Sequence, residues 1–159
     1  YLIVDCPPSL GLLTLNSMCA VDEIFIPLQT QFFALQGLGR LLETVELVQS
    51  AINPDVKVTG IVPTLFDVRT SLANEVLEDI RDHFGDLVFE TVIRKNVRLA
   101  EAPGFGVPII EYDTNCYGTE DFRSLAREVM AMEDKVTGQP PGDTSASPVA
   151  EDAEAKVRK

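Results

Sequence analysis

The sequence predicts an α/β fold in three layers, with a mostly parallel sheet flanked by helices. Three short apolar runs, at residues 1–4, 24–27 and around Ile61, have the pattern of strands buried on both faces of a parallel sheet. A weaker run covers residues 87–93. Amphipathic helical patterns lie between these runs, and this alternation of strand and helix is typical of the α/β class.

The helices are predicted from apolar residues spaced three and four positions apart. This spacing covers residues 38–48, and the helix is expected to end near Asn53, which precedes a proline. The same spacing predicts a helix over 72–84, with Gly85 placed to end it. A further helix is predicted over 122–130. The chain therefore has enough amphipathic helices to cover a sheet.

The composition divides the chain into two parts. Residues 1–132 have the apolar content of one folded domain. Residues 133–159 are rich in Pro, Gly, Ser, Ala and charge, and their only large apolar residues are three valines. Such a segment buries too little surface to offset its ordering entropy, so it is predicted to be a disordered acidic tail.

The cysteine count and the hydropathy exclude several classes of protein. The chain has three cysteines, an odd number without C-x-x-C spacing, so neither a disulfide framework nor a zinc site is indicated. No apolar run approaches the roughly 20 residues of a membrane helix, and no export signal is recognised. The sequence predicts a cytoplasmic protein.

The charge is strongly negative overall but unevenly distributed. A net charge of −12 taken alone argues against binding to nucleic acid. Between Arg69 and Arg98, however, five basic residues stand against six acidic ones. The basic residues are thus concentrated in the middle of the chain.

Asp5 is the first candidate for a functional residue. It follows the apolar run 1–4, and ligands of open α/β sheets bind outside the carboxyl ends of the strands. An acidic residue at this position can take part in holding a nucleotide's Mg²⁺, usually through water. The Pro7-Pro8 pair then fixes the direction of the chain. The alternative is an ordinary turn aspartate.

Four separated stretches carry a family resemblance. In order and spacing they resemble the carboxyl-terminal half of the ParA/Soj-type partition ATPases, which are deviant-Walker P-loop proteins related to MinD. The resemblance covers about residues 1–131 and rests on "YLIVDCPPSLGLLTLNSM", "IPLQTQFFALQGLGRLLETVELV", "TLFDVRTSLANEV" and "NVRLAEAPGFGVPIIEYD".

The resemblance implies a nucleotide-switched DNA-segregation protein. It implies an ATP- and Mg²⁺-dependent homodimer that binds double-stranded DNA without sequence preference, is stimulated by a ParB-type centromere-binding partner and associates with the nucleoid. Asp5 is implied as the Walker B carboxylate, contacting Mg²⁺ indirectly. The switch loop then begins with Cys6, Pro7, Pro8 and Ser9, and residues 10–18 form the switch helix. The cargo, whether chromosome, plasmid or another assembly, remains open.

Two arginines match positions where this family carries basic residues that contact DNA phosphates. Arg69 lies in "FDVRTS" and Arg98 in "NVRLAE". A guanidinium suits this task because it presents a permanent charge in a fixed fork. The alternative for both is a surface ion pair, of Arg69 with Asp67 and of Arg98 with Glu101.

The loop after residue 93 departs from the family pattern. The family often reads "IPRN" there, close to the adenine, whereas this chain reads "IRKN". Arg94 in place of proline puts the base contacts of this loop in doubt. Arg94 and Lys95 either enlarge the DNA-facing patch or are a harmless surface replacement. Gln31, where an acidic residue is frequent, is assigned no catalytic role, and His83 is expected to face solvent or cap a helix.

No Gly-rich phosphate loop of the form G-x-x-x-x-G-K-[ST] occurs in the 159 residues. The glycines of "LQGLGRLL" are expected to serve packing, and "PGFGVP" is expected to be a turn before a strand. We expect the chain to be the second half of a ParA-like ATPase that lacks on the order of a hundred upstream residues. Alone it is expected neither to hydrolyse ATP nor to hold a cofactor.

Two other functions remain open at this point. One is a non-enzymatic short form of the family that binds DNA or protein. The other is a MinD-like positioning ATPase, which requires an amphipathic carboxyl-terminal helix with bulky apolar residues on one face. The end of the chain, "AEDAEAKVRK", has no such residues, so no membrane partner is expected.

Overall fold

The computed structural model describes residues 1–7, 9, 11–31 and 34–137. Eight helices and strands lie in this part of the chain, and two 3₁₀ turns, Gly85–Leu87 and Ala102–Phe105, connect some of them. In chain order the elements are α1 Leu12–Ala20, β1 Glu23–Gln29, α2 Ala34–Ala51, β2 Lys57–Thr64, α3 Ser71–Phe84, α4 Val97–Glu101, α5 Ile109–Tyr112 and α6 Tyr117–Thr137.

The two strands run parallel and are joined by α2. Ile26 lies opposite Ile61, and the register shifts once, between Ile24 and Phe25. A parallel pair requires a crossover connection, and α2 provides it. The predicted α/β class with parallel strands is therefore confirmed.

Helices cover both faces of the sheet. Consecutive residues of a strand point to opposite faces, and in β2 these are Ile61 and Val62. Ile61 packs in a core cluster with Leu38 of α2 and Ile80 of α3. Val62 packs in another cluster, with Phe89 and Ile93, against Leu99, Leu125, Val129 and Met132. Since α6 carries three of those last four residues, the arrangement has three layers.

The predicted helices are present. The pattern over 38–48 belongs to α2, and the pattern over 72–84 belongs to α3. Gly85 ends α3 with a φ of 50°, and its N–H donates to the Arg81 carbonyl, as expected for a glycine beyond a helix end. Helix α6 continues to Thr137, five residues beyond the expected domain boundary. The rest of the predicted tail lies outside the described residues.

Residues 1–4 do not form the predicted buried strand. Leu2 and Ile3 are 90% and 88% exposed, and no strand is assigned to them. A strand buried on both faces needs a hydrogen-bonded neighbour and helix cover. Among the described strands, β1 and β2 pair only with each other, so the prediction of a strand here is wrong.

The run 87–93 is not assigned as a strand, and within it Val88 forms only an isolated parallel bridge with Ile61. On one side, the N–H of Phe89 donates to Ile61 at 2.9 Å, and that of Ile93 donates to Pro63 at 2.8 Å. On the other side, the N–H groups of Glu90 and Thr91 donate to the carboxylate of Glu128 in α6, at 2.7 and 3.0 Å. A helix side chain thus occupies the edge where a further strand would pair.

Two glycine-containing stretches differ from expectation. "PGFGVP" leads through Gly106, with a φ of 69°, into helix α5 and not into a strand. Its Pro108 carbonyl accepts the N–H groups of Glu111 and Tyr112, which closes a helical turn. In α2, a methyl group at Gly37 or Gly39 would meet nothing within 4 Å. The expected packing role of these two glycines is therefore not found.

Candidate functional site

The segment that follows Asp5 is attached to the first turn of α1 at Ser9. The hydroxyl of Thr14 donates to the Ser9 carbonyl at 2.7 Å and has the Pro7 carbonyl at 3.5 Å. Because a hydroxyl carries one proton, the shorter bond to Ser9 is the main one. Thr14 is buried, Cys6 is half-buried and Asp5 is exposed. Pro8 lies outside the described residues.

Helix α1 is fixed to the body of the domain at its other end. Met18 is buried in a cluster with Val45 and Val48 of α2 and with Val56, which directly precedes β2. Leu12 and Leu13, near the beginning of α1, are 79% and 72% exposed. The predicted switch helix thus packs by its carboxyl end, while its amino end carries the segment that follows Asp5.

The described carboxylates do not by themselves form a complete binding site for a nucleotide-bound metal ion. No group of three or more His, Cys, Asp or Glu side chains that could hold a metal ion is found in the part of the chain that the structure describes. Mg²⁺ in nucleotide sites is bound by one or two carboxylates plus waters and phosphates. A single exposed carboxylate such as Asp5 fits a contact through water and cannot form a site by itself.

Arg69 projects from the turn after β2. Its Nε and one Nη donate to the two oxygens of Asp67 at 2.9 and 2.8 Å, and its main-chain N–H also donates to Asp67. The side chain remains 80% exposed. The bond from Arg69 is the main reason that the pKa of Asp67 lies well below its usual range, and the charge of Lys95 lowers it further.

Lys95 and Asp67 lie close together because two loops meet at the carboxyl end of β2. The N–H of Lys95 donates to the Phe66 carbonyl at 2.9 Å, and Phe66 and Arg94 form a parallel bridge. Lys95 is exposed. Arg69 and Lys95 therefore stand on adjacent loops although 26 positions separate them in the sequence.

Arg98 lies in the first turn of α4 and is paired with two carboxylates. It donates to Glu101 at 2.9 Å, and its Nε lies 3.5 Å from Asp113. Glu101 also accepts the hydroxyl of Tyr112 at 3.1 Å. The bond to Glu101 raises the pKa of Arg98. Both surface ion pairs considered from the sequence, Asp67–Arg69 and Arg98–Glu101, are thus present.

Arg94 is held by α6. Its main-chain N–H and its Nε donate to the two oxygens of Asp121 at 2.9 and 3.0 Å, and one Nη donates to Glu120 at 3.1 Å. The guanidinium carbon lies 4.5 Å from the centre of the Tyr117 ring. Asp121 first, and Glu120 after it, raise the pKa of Arg94.

Asp121 is the residue of this region that sequence reasoning missed. It is only 5% exposed, and it lies one helical turn before Leu125, on the face of α6 that packs against the sheet. A carboxylate on an apolar helix face needs a cation and hydrogen bonds. An acidic residue at an apolar position of the helix pattern was therefore the sequence signal that could have indicated a cationic partner elsewhere in the chain.

Two cavities lie in the described part of the chain near α4, α5 and α6, and neither is lined by a predicted site residue. A cleft of about 700 Å³ is lined by Thr114, Asn115, Cys116, Tyr117, Glu120, Arg123, Ala126 and Arg127. An apolar groove of about 370 Å³ is lined by Leu99, Ala102, Pro103, Val107, Pro108, Ile109, Ile110 and Phe122. Asp5, Arg69, Lys95 and Arg98 all lie on open surface.

Comparison with known proteins identifies the relatives. The chain is 49% identical over 133 residues to the chromosome partitioning protein ParA of Caulobacter vibrioides (strain NA1000 / CB15N). The aligned residues cover 84% of this chain and 50% of the relative. It is 50% identical over 133 residues to the chromosome-partitioning ATPase Soj of Treponema pallidum (strain Nichols), covering 84% and 53%.

This chain is a homologue of the ParA/Soj chromosome-partitioning ATPases. The sporulation initiation inhibitor protein Soj of Bacillus subtilis (strain 168) is also 50% identical, over 131 residues that cover 82% of this chain and 52% of the relative. A family model described as an AAA domain matches residues 1–58 of this chain. The chain spans about half the length of the curated relatives it matches.

The fold of this ParA/Soj homologue also occurs in nucleotide-binding enzymes. Cobyrinic acid a,c-diamide synthase from Mycobacterium smegmatis, solved with bound ADP and magnesium, matches with a TM-score of 0.63 and 30% identity over 89% of this chain and 50% of that chain. The same enzyme with an ATP analogue and magnesium gives a TM-score of 0.62. The P-loop NTPase-like fold class is thereby confirmed.

Proposed function

We propose that this homologue is part of a DNA-segregation ATPase, a homodimer switched by ATP that binds nonspecific double-stranded DNA and is stimulated by a ParB-type partner. An identity of about 50% to chromosome-partitioning proteins over 133 residues carries this assignment. ATP and Mg²⁺ supply the phosphoryl chemistry, in which catalysis is mainly positioning and charge stabilisation. Binding to DNA places the protein on the nucleoid.

In this proposal Asp5 holds a water ligand of the nucleotide-bound Mg²⁺. The segment from Cys6 to Ser9 follows the carboxylate directly and is attached to α1 through the hydroxyl of Thr14. A change in position at Asp5 is therefore passed to the exposed amino end of α1, where Leu12 and Leu13 face solvent. Such a surface suits a contact that depends on the nucleotide state.

Arg69, Lys95 and Arg98 form the DNA-binding surface in this proposal. Two of them project from loops joined by the Lys95–Phe66 hydrogen bond, and Arg98 follows three residues later. Asp67 and Glu101 already pair with the two arginines, so phosphates must compete with carboxylates. Binding of this kind is sequence-independent and falls with salt. In a chain of net charge −12, two copies in a dimer bring more of these cations to one duplex.

No helix in the described ranges is both long and apolar enough to cross a bilayer. The relatives named above are partitioning proteins, which favours DNA as the surface that the protein binds.

ATP hydrolysis by the natural-length protein that carries these residues tests the nucleotide part of the proposal. Asp5→Asn is expected to lower kcat about 10- to 100-fold, the usual cost of losing an outer-shell partner of a metal. Asp22→Asn makes the same chemical change at another exposed aspartate before β1 and is expected to leave kcat unchanged. Equal rates for Asp5→Asn and the wild type would contradict the role of Asp5.

A further inference from the structure

We infer that Arg94 and Asp121 form a positioning clamp, which fixes residues 94–98 against α6 and so presents Lys95 and Arg98 to DNA. This inference rests on the DNA-binding function proposed above. Arg94 is here a positioning residue and not a phosphate contact. The sequence left open whether Arg94 enlarges the basic patch or is a harmless replacement, and the clamp is a third role.

One carboxylate holds both the main chain and the side chain of Arg94. Asp121 accepts the main-chain N–H of Arg94 through one oxygen and Nε mainly through the other. The Tyr117 ring lies 4.5 Å from the guanidinium carbon, and Glu120 binds a further nitrogen at 3.1 Å. The three partners lie within the first five residues of α6. Arg94 is therefore fixed to one rigid helix through several groups.

The positive charge of Arg94 is paired with carboxylates of the protein itself. Its side chain is 32% exposed, against 80% for Arg69 and 53% for Arg98. Its partner Asp121 is 5% exposed, and a buried carboxylate left without its cation is strongly destabilising. Turning the guanidinium towards a phosphate would leave Asp121 in that state, which disfavours a direct DNA contact.

The clamp is continuous in the chain with Lys95 and Arg98, the two cations that it presents to DNA. The next N–H along the chain, that of Lys95, donates to Phe66 at 2.9 Å. The Asn96 side chain accepts the N–H of Arg98 at 2.9 Å and caps α4. The loop is thus held by α6 on one side and by the turn after β2 on the other. A pre-ordered loop loses less conformational entropy when its cations bind.

The salt dependence of DNA binding separates a clamp from a phosphate contact. In the natural-length protein with ATP, we measure retention on a nonspecific duplex over a range of salt concentrations for Arg94→Ala and Asp121→Asn. Both variants are expected to weaken binding about 2- to 10-fold, the range for losing order in one side chain. Their slopes of log affinity against log salt are expected to match the wild type, because no phosphate contact is lost.

Asp121→Asn is the sharper variant, because it removes a negative charge and is still expected to weaken binding to a polyanion. Hydrogen exchange at residues 95–98 is expected to rise in both variants. Arg94→Lys, which keeps the charge, is expected to restore part of the affinity. Arg81→Ala is the matched control, since Arg81 binds the Glu90 carbonyl at 3.3 Å, away from the loop, and it is expected to bind DNA as the wild type does.

Three results overturn the inference. Tighter binding by Asp121→Asn, together with a slope reduced by about one in Arg94→Ala, would make Arg94 a phosphate contact. Unchanged affinity in both variants would leave the clamp without a role in binding. A loss of affinity that follows only a loss of folded protein, seen in thermal denaturation, would reduce it to a structural pair. Arg69→Glu and Arg98→Glu are measured alongside, and unchanged binding in both would contradict the proposed function itself.

Discussion

The side-chain amide of Asn53 donates to the main-chain oxygen of Met18 at 3.0 Å, and also to that of Val21 at 2.8 Å. Asn53 follows the end of α2, whereas Met18 lies in the last turn of α1, 35 residues earlier. The last carbonyls of a helix have no partners within it. Asn53 supplies a donor for this end of α1 and ties the predicted switch helix to the body of the domain.

Asn53→Ala is expected to lower the free energy of unfolding of the natural-length protein by about 1–3 kcal/mol, because it leaves two carbonyls without this donor. Urea unfolding followed by circular dichroism measures the change. Asn74→Ala is the matched control, since the side chain of Asn74 makes an exposed bond to the carbonyl of Thr70, the residue before α3. Equal stabilities of the two variants would show that the Asn53 bonds do not anchor α1.

Thr14→Val keeps the shape of the side chain and removes the hydroxyl that donates to Ser9. We expect a loss of about 1 kcal/mol in unfolding free energy and faster hydrogen exchange in residues 5–11. Ser17→Ala, which removes an exposed bond to Leu13 in the same helix, is expected to change neither. The same exchange pattern in both variants would refute the attachment through Thr14.

Gly60→Ala tests the packing of the segment 87–93 against β2. A methyl group at Gly60 would clash with the ring of Phe89, so the ring must move, and we expect a loss of about 1–3 kcal/mol in unfolding free energy. Gly39→Ala meets nothing within 4 Å and is expected to stabilise α2 by up to about 1 kcal/mol. Thermal denaturation of both variants compares them, and a Gly60→Ala protein as stable as the wild type would contradict the contact.

Asp67→Asn removes the carboxylate that competes with phosphates for Arg69. The pKa of Asp67 lies well below its usual range, so the group is charged at neutral pH. We expect nonspecific DNA to bind more tightly, by about fivefold at most for one nearby charge in water. Asp55→Asn makes the same charge change before the amino end of β2. An equal gain in DNA affinity in Asp55→Asn would show that the change in net charge alone causes the effect.

The elements that the sequence predicts well are those stabilised by nearby residues. Helices α2 and α3 follow from apolar spacing, because one face of each helix packs on the sheet. The ion pairs Asp67–Arg69 and Arg98–Glu101 were also foreseeable, because two or three positions separate their partners. Local chemistry determines these features, so a local pattern reveals them.

The features that the sequence did not predict depend on distant partners. The run 1–4 looks like a strand, but among the described residues no strand lies beside it. The N–H groups of Glu90 and Thr91 bind Glu128, which lies 38 and 37 residues away. Arg94 binds Asp121 over 27 residues. The hydrophobic period and the secondary-structure propensity of a segment do not indicate which distant side chain occupies a sheet edge.

ATP-dependent retention on a nonspecific duplex tests the central claim most directly. The natural-length wild type is expected to be retained with ATP and released with ADP. Arg69→Glu and Arg98→Glu are each expected to abolish retention. Lys57→Glu makes an equal charge change at the opposite end of β2 and is expected to leave retention unchanged. Unchanged retention in both arginine variants, or equal loss in Lys57→Glu, would contradict the assignment of this surface to DNA.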